Sequence, residues 1–223
     1  MKRLFIVVEG ETEERFIRRV LYQPFITRNI HIEAQQWITN RKLGTAGGGN
    51  NFDLIENHLR RLISRYKNDN EVFISVMVDL YAFPKRGNTI YDNEIDIQRT
   101  GKGKALLLQK KMVERFKYGN FIPYVQLHEF ESLILSKPDA LSLFYTDKLI
   151  EIDHLKSDIG AKSPEEINDT PKGTPSKRII KYIPEYEKQK TSAGVATAES
   201  IGLSFLRQKC PHFNEWITKM ESI

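Results

Sequence analysis

The stretch Leu4-Phe5-Ile6-Val7-Val8-Glu9-Gly10-Glu11-Thr12-Glu13-Glu14, close to the N-terminus, decides the fold. Its five consecutive apolar residues predict a strand buried on both faces, as in the centre of a parallel sheet. Gly10 allows a tight turn, and we expect Thr12 to cap a helix running from Glu13 to about Tyr22. The strand therefore ends on Glu9, at the edge where open α/β sheets bind ligands.

Glu9 has two interpretations. A carboxylate at the end of a buried strand is poorly solvated unless a positive partner joins it, and a divalent cation is the usual one. Alternatively, Glu9 only caps the next helix through its first amides. Four acids within the six residues 9–14 favour the metal interpretation.

Composition limits the class of protein. The chain has 223 residues, of which 40% are apolar, so it can bury the core of one domain. No apolar run approaches the ~20 residues of a membrane helix, and the N-terminus predicts a strand rather than a signal peptide. The single cysteine, Cys210, excludes an internal disulfide and a cysteine-based zinc site. We therefore expect a cytoplasmic protein with no membrane partner; its net charge of +5 weakly indicates nucleic-acid binding.

Three further strands are predicted, over 31–37, 72–78 and 121–127, with helices over about 52–67 and 102–117. The third strand ends on Asp79, as the first ends on Glu9. Because parallel strands end at the same edge of a sheet, both acids are expected there. Residues 88–101 are predicted to be irregular.

His128-Glu129-Phe130-Glu131 follows the fourth strand directly. A helix beginning near His128 would bring Glu131 close to the strand tip as a third metal ligand, with Glu129 as the next choice. His128 is a candidate general base, a candidate phosphate contact or a structural histidine.

Basic residues mark candidate phosphate contacts: Lys102 and Lys104 on the most basic helix, Lys177 and Arg178 before an apolar segment, and Arg41 and Lys42 beside a glycine-rich loop. Solvated surface explains the same charges. The loop lacks the Gly-Lys-Ser/Thr ending of a nucleotide P-loop, so it does not predict ATP binding, and a hinge is an equal alternative.

The domain prediction is a catalytic core over 1–136 and a mainly helical extension over 137–223 packed on it. Polar links are predicted near 162–178 and over 188–193.

The order of strands, helices and acids resembles the Toprim (topoisomerase–primase) fold, which also occurs in the overcoming-lysogenization-defect nucleases. Glu9-Gly10 with Thr12-Glu13 resembles the first Toprim motif, in which the first glutamate is catalytic. Asp79 stands where the Asp-x-Asp motif begins, but Tyr81 replaces the second acid. The resemblance implies a Rossmann-like, mostly parallel four-stranded sheet flanked by helices.

Over nearly its full length the chain also resembles domain of unknown function 4276, a bacterial Toprim-like family. The resemblance rests on these pieces: 8–10, 47–49, 79–81, 128–131, 175–178 and 210–213. It implies a prokaryotic antiphage defence setting, often beside an ATPase.

These observations predict a phosphodiesterase or nuclease that uses Mg²⁺ or Mn²⁺ held by Glu9, Asp79 and Glu131 or Glu129. Glu13 would support these ligands or hold a second ion. The alternative is a non-catalytic Toprim-fold partner of an ATPase, consistent with Tyr81 in place of an acid. The sequence leaves open DNA, RNA or tRNA as substrate, activity alone or with a partner, and homo-oligomerisation.

Overall fold

The computed structural model describes residues 1–37, 52–167 and 173–223. The glycine-rich loop with Arg41 and Lys42, and part of the predicted polar link at 162–178, lie outside these ranges.

Four strands and eleven α-helices make up the described chain. The strands are β1 Lys2–Val8, β2 Ile30–Gln36, β3 Val72–Asp79 and β4 Phe121–Gln126. The helices are α1 Glu11–Phe16, α2 Tyr22–Ile26, α3 Phe52–Tyr66, α4 Asn93–Asp96, α5 Gly101–Phe116, α6 Glu131–Ile134, α7 Leu149–Ile159, α8 Pro175–Tyr182, α9 Tyr186–Ile201, α10 Leu203–Lys209 and α11 Pro211–Glu221. A π-helical turn, Ile17–Leu21, joins α1 to α2, and 3₁₀ turns span Pro138–Leu143 and Pro164–Glu166.

All four strands are parallel and lie in the order β2-β1-β3-β4. Val8 pairs with Met77, and Asp79 pairs with Gln126, so β1, β3 and β4 finish at one edge. The predicted α/β fold with a parallel four-stranded sheet and a helical C-terminal region is confirmed.

The β1 strand faces two cores because its side chains alternate. Leu4, Ile6 and Val8 pack with the N-terminal and C-terminal helices, whereas Phe5 and Val7 pack against the side formed by α3 and α5. Burial on both faces explains the continuous apolar run.

The last helix, α11, is fixed directly to the sheet. The indole Nε1 of Trp216 donates to the Ser75 hydroxyl at 3.0 Å, and the Trp216 ring stacks on Tyr124 with centroids 4.4 Å apart. His212 Nε2 donates to the Val125 carbonyl oxygen at 3.0 Å. The C-terminal helices thus share a core with the sheet; the boundary at 136 remains a prediction.

The predicted start of the first helix is wrong by two residues. Its N-cap is Gly10, whose amide donates to the Glu13 carboxylate at 3.1 Å. Thr12 does not cap the helix, because its hydroxyl hydrogen-bonds Thr191 on α9 at 2.9 Å. A contact distant in sequence overrides the local capping preference here.

Three other local predictions are corrected. The helix expected from His128 begins at Glu131, since His128 has a left-handed backbone with φ of 66°. The predicted link at 188–193 lies inside α9, whose buried face includes Ala193 and Val195. The predicted irregular stretch 88–101 contains α4, where Asp92 accepts the Glu94 amide at 3.1 Å.

In the part of the chain that the structure describes, none of the helices combines the length and the apolar character needed to cross a bilayer.

Candidate functional site

The ends of β1, β3 and β4 bring five acids to one pocket, which we call the carboxylate pocket. It has a volume of about 230 Å³. Its lining consists of Glu9, Thr12, Glu13, Asp79, Tyr81, Ala82, Glu129, Phe130, Glu131 and Lys190. The topology explains this convergence, because parallel strands deliver the residues at their carboxyl ends to the same edge.

Asp79 lies at the centre of the charge in this pocket. Its Oδ1 atom is buried and has no hydrogen-bond partner among the described residues. Burial is the main cause that raises the pKa of Asp79 well above its usual value, and the charges of Glu13, Glu131, Glu9 and Glu129 raise it further. An unpartnered buried carboxylate oxygen destabilises the fold unless a ligand joins it.

Glu9 and Glu131 show the same effect. Burial, followed by the charge of Glu13, raises the pKa of Glu9 to about 7. Burial also raises the pKa of Glu131 to about 7, although the nearby Lys190 opposes the shift. The Lys190 Nζ lies 3.8 Å from Glu131 Oε1, and the Tyr186 hydroxyl donates to the same oxygen at 3.4 Å.

Backbone amides orient the other two glutamates. Glu13 Oε2 accepts the Gly10 amide at 3.1 Å, and Glu129 Oε2 accepts the Ser176 amide at 2.9 Å. Burial raises the pKa of Glu13, whereas its backbone hydrogen bonds lower it. Both side chains are therefore directed by the main chain as well as by packing.

The pocket chemistry fits a hard divalent cation, because Mg²⁺ and Mn²⁺ prefer carboxylate oxygens and Asp79 Oδ1 has no other partner. In the described ranges, however, no three or more Asp, Glu, His or Cys side chains are close enough together to hold a metal ion as they stand. Ligation would require the carboxylates to converge through side-chain rotation.

A model of the family described as "Domain of unknown function (DUF4276)" matches residues 8–221. The chain belongs to this family. The family resemblance predicted from the sequence is therefore confirmed, and the matched range includes all five acids of the pocket.

Two solved structures resemble this DUF4276 chain. The C-terminal region of the Burkholderia pseudomallei OLD protein is 10% identical, with a TM-score of 0.46, and the match covers 99% of each chain. The C-terminal region of the Xanthomonas campestris pv. campestris OLD protein is 14% identical, with a TM-score of 0.43, and covers 99% of this chain and 98% of the other. No curated protein matches the sequence. At these scores the role of the pocket has to be argued from its own residues.

Lys190 is the pocket residue that sequence reasoning missed. It lies on α9, far along the chain from the strand ends, in a segment predicted to be a polar link. Only the packing of α9 against α1 and α6 brings it to the acids. No local pattern around Lys190 indicates this position.

His128 does not line the carboxylate pocket but lines a neighbouring pocket. Its Nε2 lies 3.1 Å from the carbonyl oxygen of Glu165. Because a carbonyl oxygen only accepts, this ring nitrogen carries the proton in that contact. The backbone carbonyl of Glu165 therefore orients the imidazole ring of His128.

Four of the predicted phosphate contacts, Lys102, Lys104, Lys177 and Arg178, lie in the described ranges, where they are dispersed and do not line the carboxylate pocket. Lys104 lines the neighbouring pocket. Lys102 pairs with Glu215 at 2.8 Å, and Lys177 is an exposed residue of α8. Arg178 is buried, donates to the Gly173 carbonyl at 2.9 Å and pairs with Asp158 at 3.1 Å.

Proposed function

We propose that this DUF4276 protein is a phosphodiesterase that cleaves nucleic acid with the help of Mg²⁺ or Mn²⁺ bound in the carboxylate pocket. The observation that carries the proposal is the buried, unpartnered Oδ1 of Asp79, surrounded by four glutamates. Such an arrangement destabilises the metal-free fold, so a role in binding cations accounts for it better than a role in packing.

Glu9, Asp79 and Glu131 are the proposed ligands, with Glu129 as the alternative third ligand. Glu13 would orient them or hold a second ion, since its carboxylate is already directed by the Gly10 amide. A bound divalent ion supplies Lewis acidity at the phosphoryl oxygen and lowers the pKa of a bound water.

Lys190 supplies positive charge at the rim of this negative pocket. Its side chain is 41% exposed and its Nζ lies 3.8 Å from Glu131 Oε1, so the ammonium can approach a phosphoryl oxygen without leaving the pocket. This placement reduces the repulsion between an incoming phosphodiester and the acids. A lysine ammonium suits that task because it is a compact, mobile point charge.

The biological setting follows from the family resemblance alone. We propose that the protein acts as an effector in antiphage defence, together with an ATPase. The substrate is a nucleic acid, and the experiment below distinguishes DNA from RNA and tRNA.

The test incubates the purified protein with plasmid DNA, single-stranded DNA and total tRNA in Mg²⁺, Mn²⁺ or EDTA. Glu9→Gln and Asp79→Asn are compared with Glu114→Gln, which changes an exposed acid on α5. We expect metal-dependent cleavage that falls at least about a thousandfold in the first two variants and is unchanged in the control. Cleavage by Asp79→Asn at the wild-type rate would contradict the proposal.

A second candidate, a non-catalytic partner of an ATPase, is favoured by the geometry of the acids, because the described carboxylates share a pocket but do not form a ready ligand set. Tyr81, in place of a second acid, points the same way. Calorimetric titration with Mg²⁺ separates the two functions. Absence of both Mg²⁺ binding and cleavage would support the partner module, whereas binding lost in Asp79→Asn would support the metal centre.

A further inference from the structure

A second pocket shares Tyr81 with the carboxylate pocket, and we call it the cationic pocket. Its volume is about 270 Å³. Its lining consists of Leu80, Tyr81, Lys85, Tyr91, Gln98, Arg99, Thr100, Gly101, Lys104 and His128. Tyr81 belongs to both linings, so the two pockets adjoin.

The two pockets have opposite charge. Five acids line the carboxylate pocket, whereas the cationic pocket is lined by Lys85, Arg99 and Lys104 and, among the described residues, by no acid. Within the described chain, these three cations form no ion pair with a carboxylate. The Lys85 ammonium instead lies 5.1 Å from the centre of the Tyr91 ring.

Two other lysines on α5, outside the cationic pocket, do form ion pairs with carboxylates. Lys111 pairs with Asp92 at 2.6 Å and with Glu94 at 2.7 Å, and Lys102 pairs with Glu215 at 2.8 Å. Lys104 lies on the same helix and is only partly exposed, yet it has no such partner in the described ranges. Three cations without a carboxylate partner in the described ranges therefore line this pocket, of which Lys85 and Arg99 are exposed and Lys104 is partly buried.

The backbone contributes to the same pocket. Thr100 caps α5 by accepting the Gly103 amide at 3.0 Å, and Gly101 lines the cavity. The first turn of a helix carries partial positive charge on its amides, which favours an anion beside it. A side chain at Gly101 would approach His128 Cε1 to 3.1 Å, so glycine keeps both the backbone and the imidazole at the pocket wall.

We propose that the cationic pocket binds a backbone phosphate of the nucleic-acid strand, next to the phosphate that lies in the carboxylate pocket. The inference rests on the proposed function for the path of the nucleic-acid strand between the two pockets. The geometry of the cationic pocket itself supports the binding of a phosphate. Arg99 and Lys104 supply charge-assisted hydrogen bonds, and Lys85 adds charge at the rim. The half-exposed ring of Tyr81 lies between the two phosphates, where a base can stack on it.

The test measures binding without cleavage. The anisotropy of short, fluorescein-labelled single-stranded DNA and RNA is followed in EDTA over a series of salt concentrations. The double variant Arg99→Gln/Lys104→Gln is compared with a control, Lys110→Gln/Lys219→Gln, which also removes two positive charges. The control charges line a different pocket, at the end of the sheet where β1 and β4 begin with Lys2 and Phe121. Thermal unfolding verifies that both variants are folded.

We expect the pocket variant to bind at least about tenfold more weakly, since charged hydrogen bonds are lost. Because the pocket is proposed to hold one backbone phosphate, the slope of log affinity against log salt should fall in size by about 0.7, the value for one single-strand phosphate contact. The control should stay within about twofold of the wild type. Equal weakening in both variants, or no change in either, would overturn the proposal.

Inorganic phosphate distinguishes the source of the anion. We expect it to compete with the oligonucleotide in the wild type only. Phosphate binding that requires Arg99 and Lys104, with no oligonucleotide binding, would overturn the strand proposal and indicate a small phosphorylated ligand. No binding of either probe would also overturn it.

The cleavage assay separates this inference from the proposed function. If the wild type does not cleave but the pocket variant weakens oligonucleotide binding, the cationic pocket stands and the nuclease proposal fails. If the wild type cleaves and the pocket variant binds like it, the nuclease proposal stands and the cationic pocket fails.

Discussion

Glu165 and Asp79 are both acids in largely buried surroundings, but the protein treats them in opposite ways. Glu165 is 6% exposed, and its two oxygens accept the amides of His212 and Phe213, each at 2.9 Å, at the start of α11. Asp79 has an Oδ1 with no donor in the described chain and four glutamates around it. The hydrogen bonds of Glu165 are made within the protein, whereas Asp79 Oδ1 needs a partner that the described chain does not provide.

Glu56 shows a second internal solution. It is also 6% exposed, and it pairs with Arg115, whose Nε lies 3.0 Å from Oε1, and with Arg60. Burial raises the pKa of Glu56, but these guanidinium groups more than offset that effect and lower it. Burial of a carboxylate thus indicates function only when neither backbone amides nor cationic side chains bind its oxygens.

The largest expected effect is on the satisfied acid. Glu165→Ala leaves two buried amides without an acceptor, so the free energy of unfolding should fall by about 3 kcal/mol. Glu165→Gln keeps one acceptor oxygen and should lose about half as much. Urea unfolding measures both values, and a loss under about 1 kcal/mol for the alanine variant would remove the structural role.

The second effect is on pH dependence without metal. The pKa values of Glu9 and Glu131 are raised to about 7 in the fold, so the folded state holds protons that the unfolded state releases near pH 4.5. Their contribution to stability is complete below about pH 4.5 and is lost as pH rises through about 7.

In EDTA we therefore expect the free energy of unfolding to fall by roughly 3 kcal/mol between pH 5 and pH 8. Mg²⁺ should restore much of this at pH 8 and little at pH 5, because protons compete with the cation. If the free energy of unfolding in EDTA stays constant or rises between pH 5 and pH 8, other groups of the folded protein must stabilise the charged form of these acids.

The third effect reverses the usual sign of a core mutation. Because the pKa of Asp79 is raised well above its usual value, the fold at pH 8 must either keep this side chain protonated or hold its charge among like charges. Asp79→Asn removes that cost and keeps the size of the side chain. At pH 8 in EDTA it should raise the free energy of unfolding by about 1 kcal/mol and abolish the stabilisation by Mg²⁺. Thermal unfolding with and without Mg²⁺ measures both, and destabilisation in EDTA would place Asp79 with Glu165 as a structural acid.

The smallest effect is at an exposed acid. Glu215 pairs with Lys102 at 2.8 Å, and both side chains are 46% exposed. Glu215→Gln should change the free energy of unfolding by less than about 0.5 kcal/mol, because water and salt screen such pairs. A loss of more than about 1 kcal/mol in the free energy of unfolding, measured in the same urea series, would show that Glu215 has a structural role like that of Glu165.

The sequence was sufficient to place the acids of the carboxylate pocket at one edge of the sheet, because the end of each strand follows from local pattern. Apolar runs ending on Glu9 and Asp79 predict parallel strands, and parallel strands bring their ends together. Glu129 and Glu131 could be included because they follow β4 directly. The exact start of α6 did not matter to that inference.

Residues supplied by other elements were not predictable in the same way. Lys190 reaches the pocket on α9, and Ser176 donates its amide from α8, so both depend on helix packing. Thr12 failed as a cap because Thr191 offers it a partner. Arg99 lies in the stretch 88–101, which the sequence predicts to be irregular, and its position in the wall of the cationic pocket is visible only in three dimensions.

The attachment of the last helices to the sheet has a consequence for synthesis. Ser176 orients Glu129, Lys190 balances Glu131, and Trp216 fixes α11 to Ser75 in the sheet. On the ribosome, the acids at the strand ends emerge long before the residues that arrange and balance them. A nascent chain therefore carries every proposed ligand before the backbone amide and the ammonium group that orient and balance them, and the pocket is assembled only once α8 and α9 have packed.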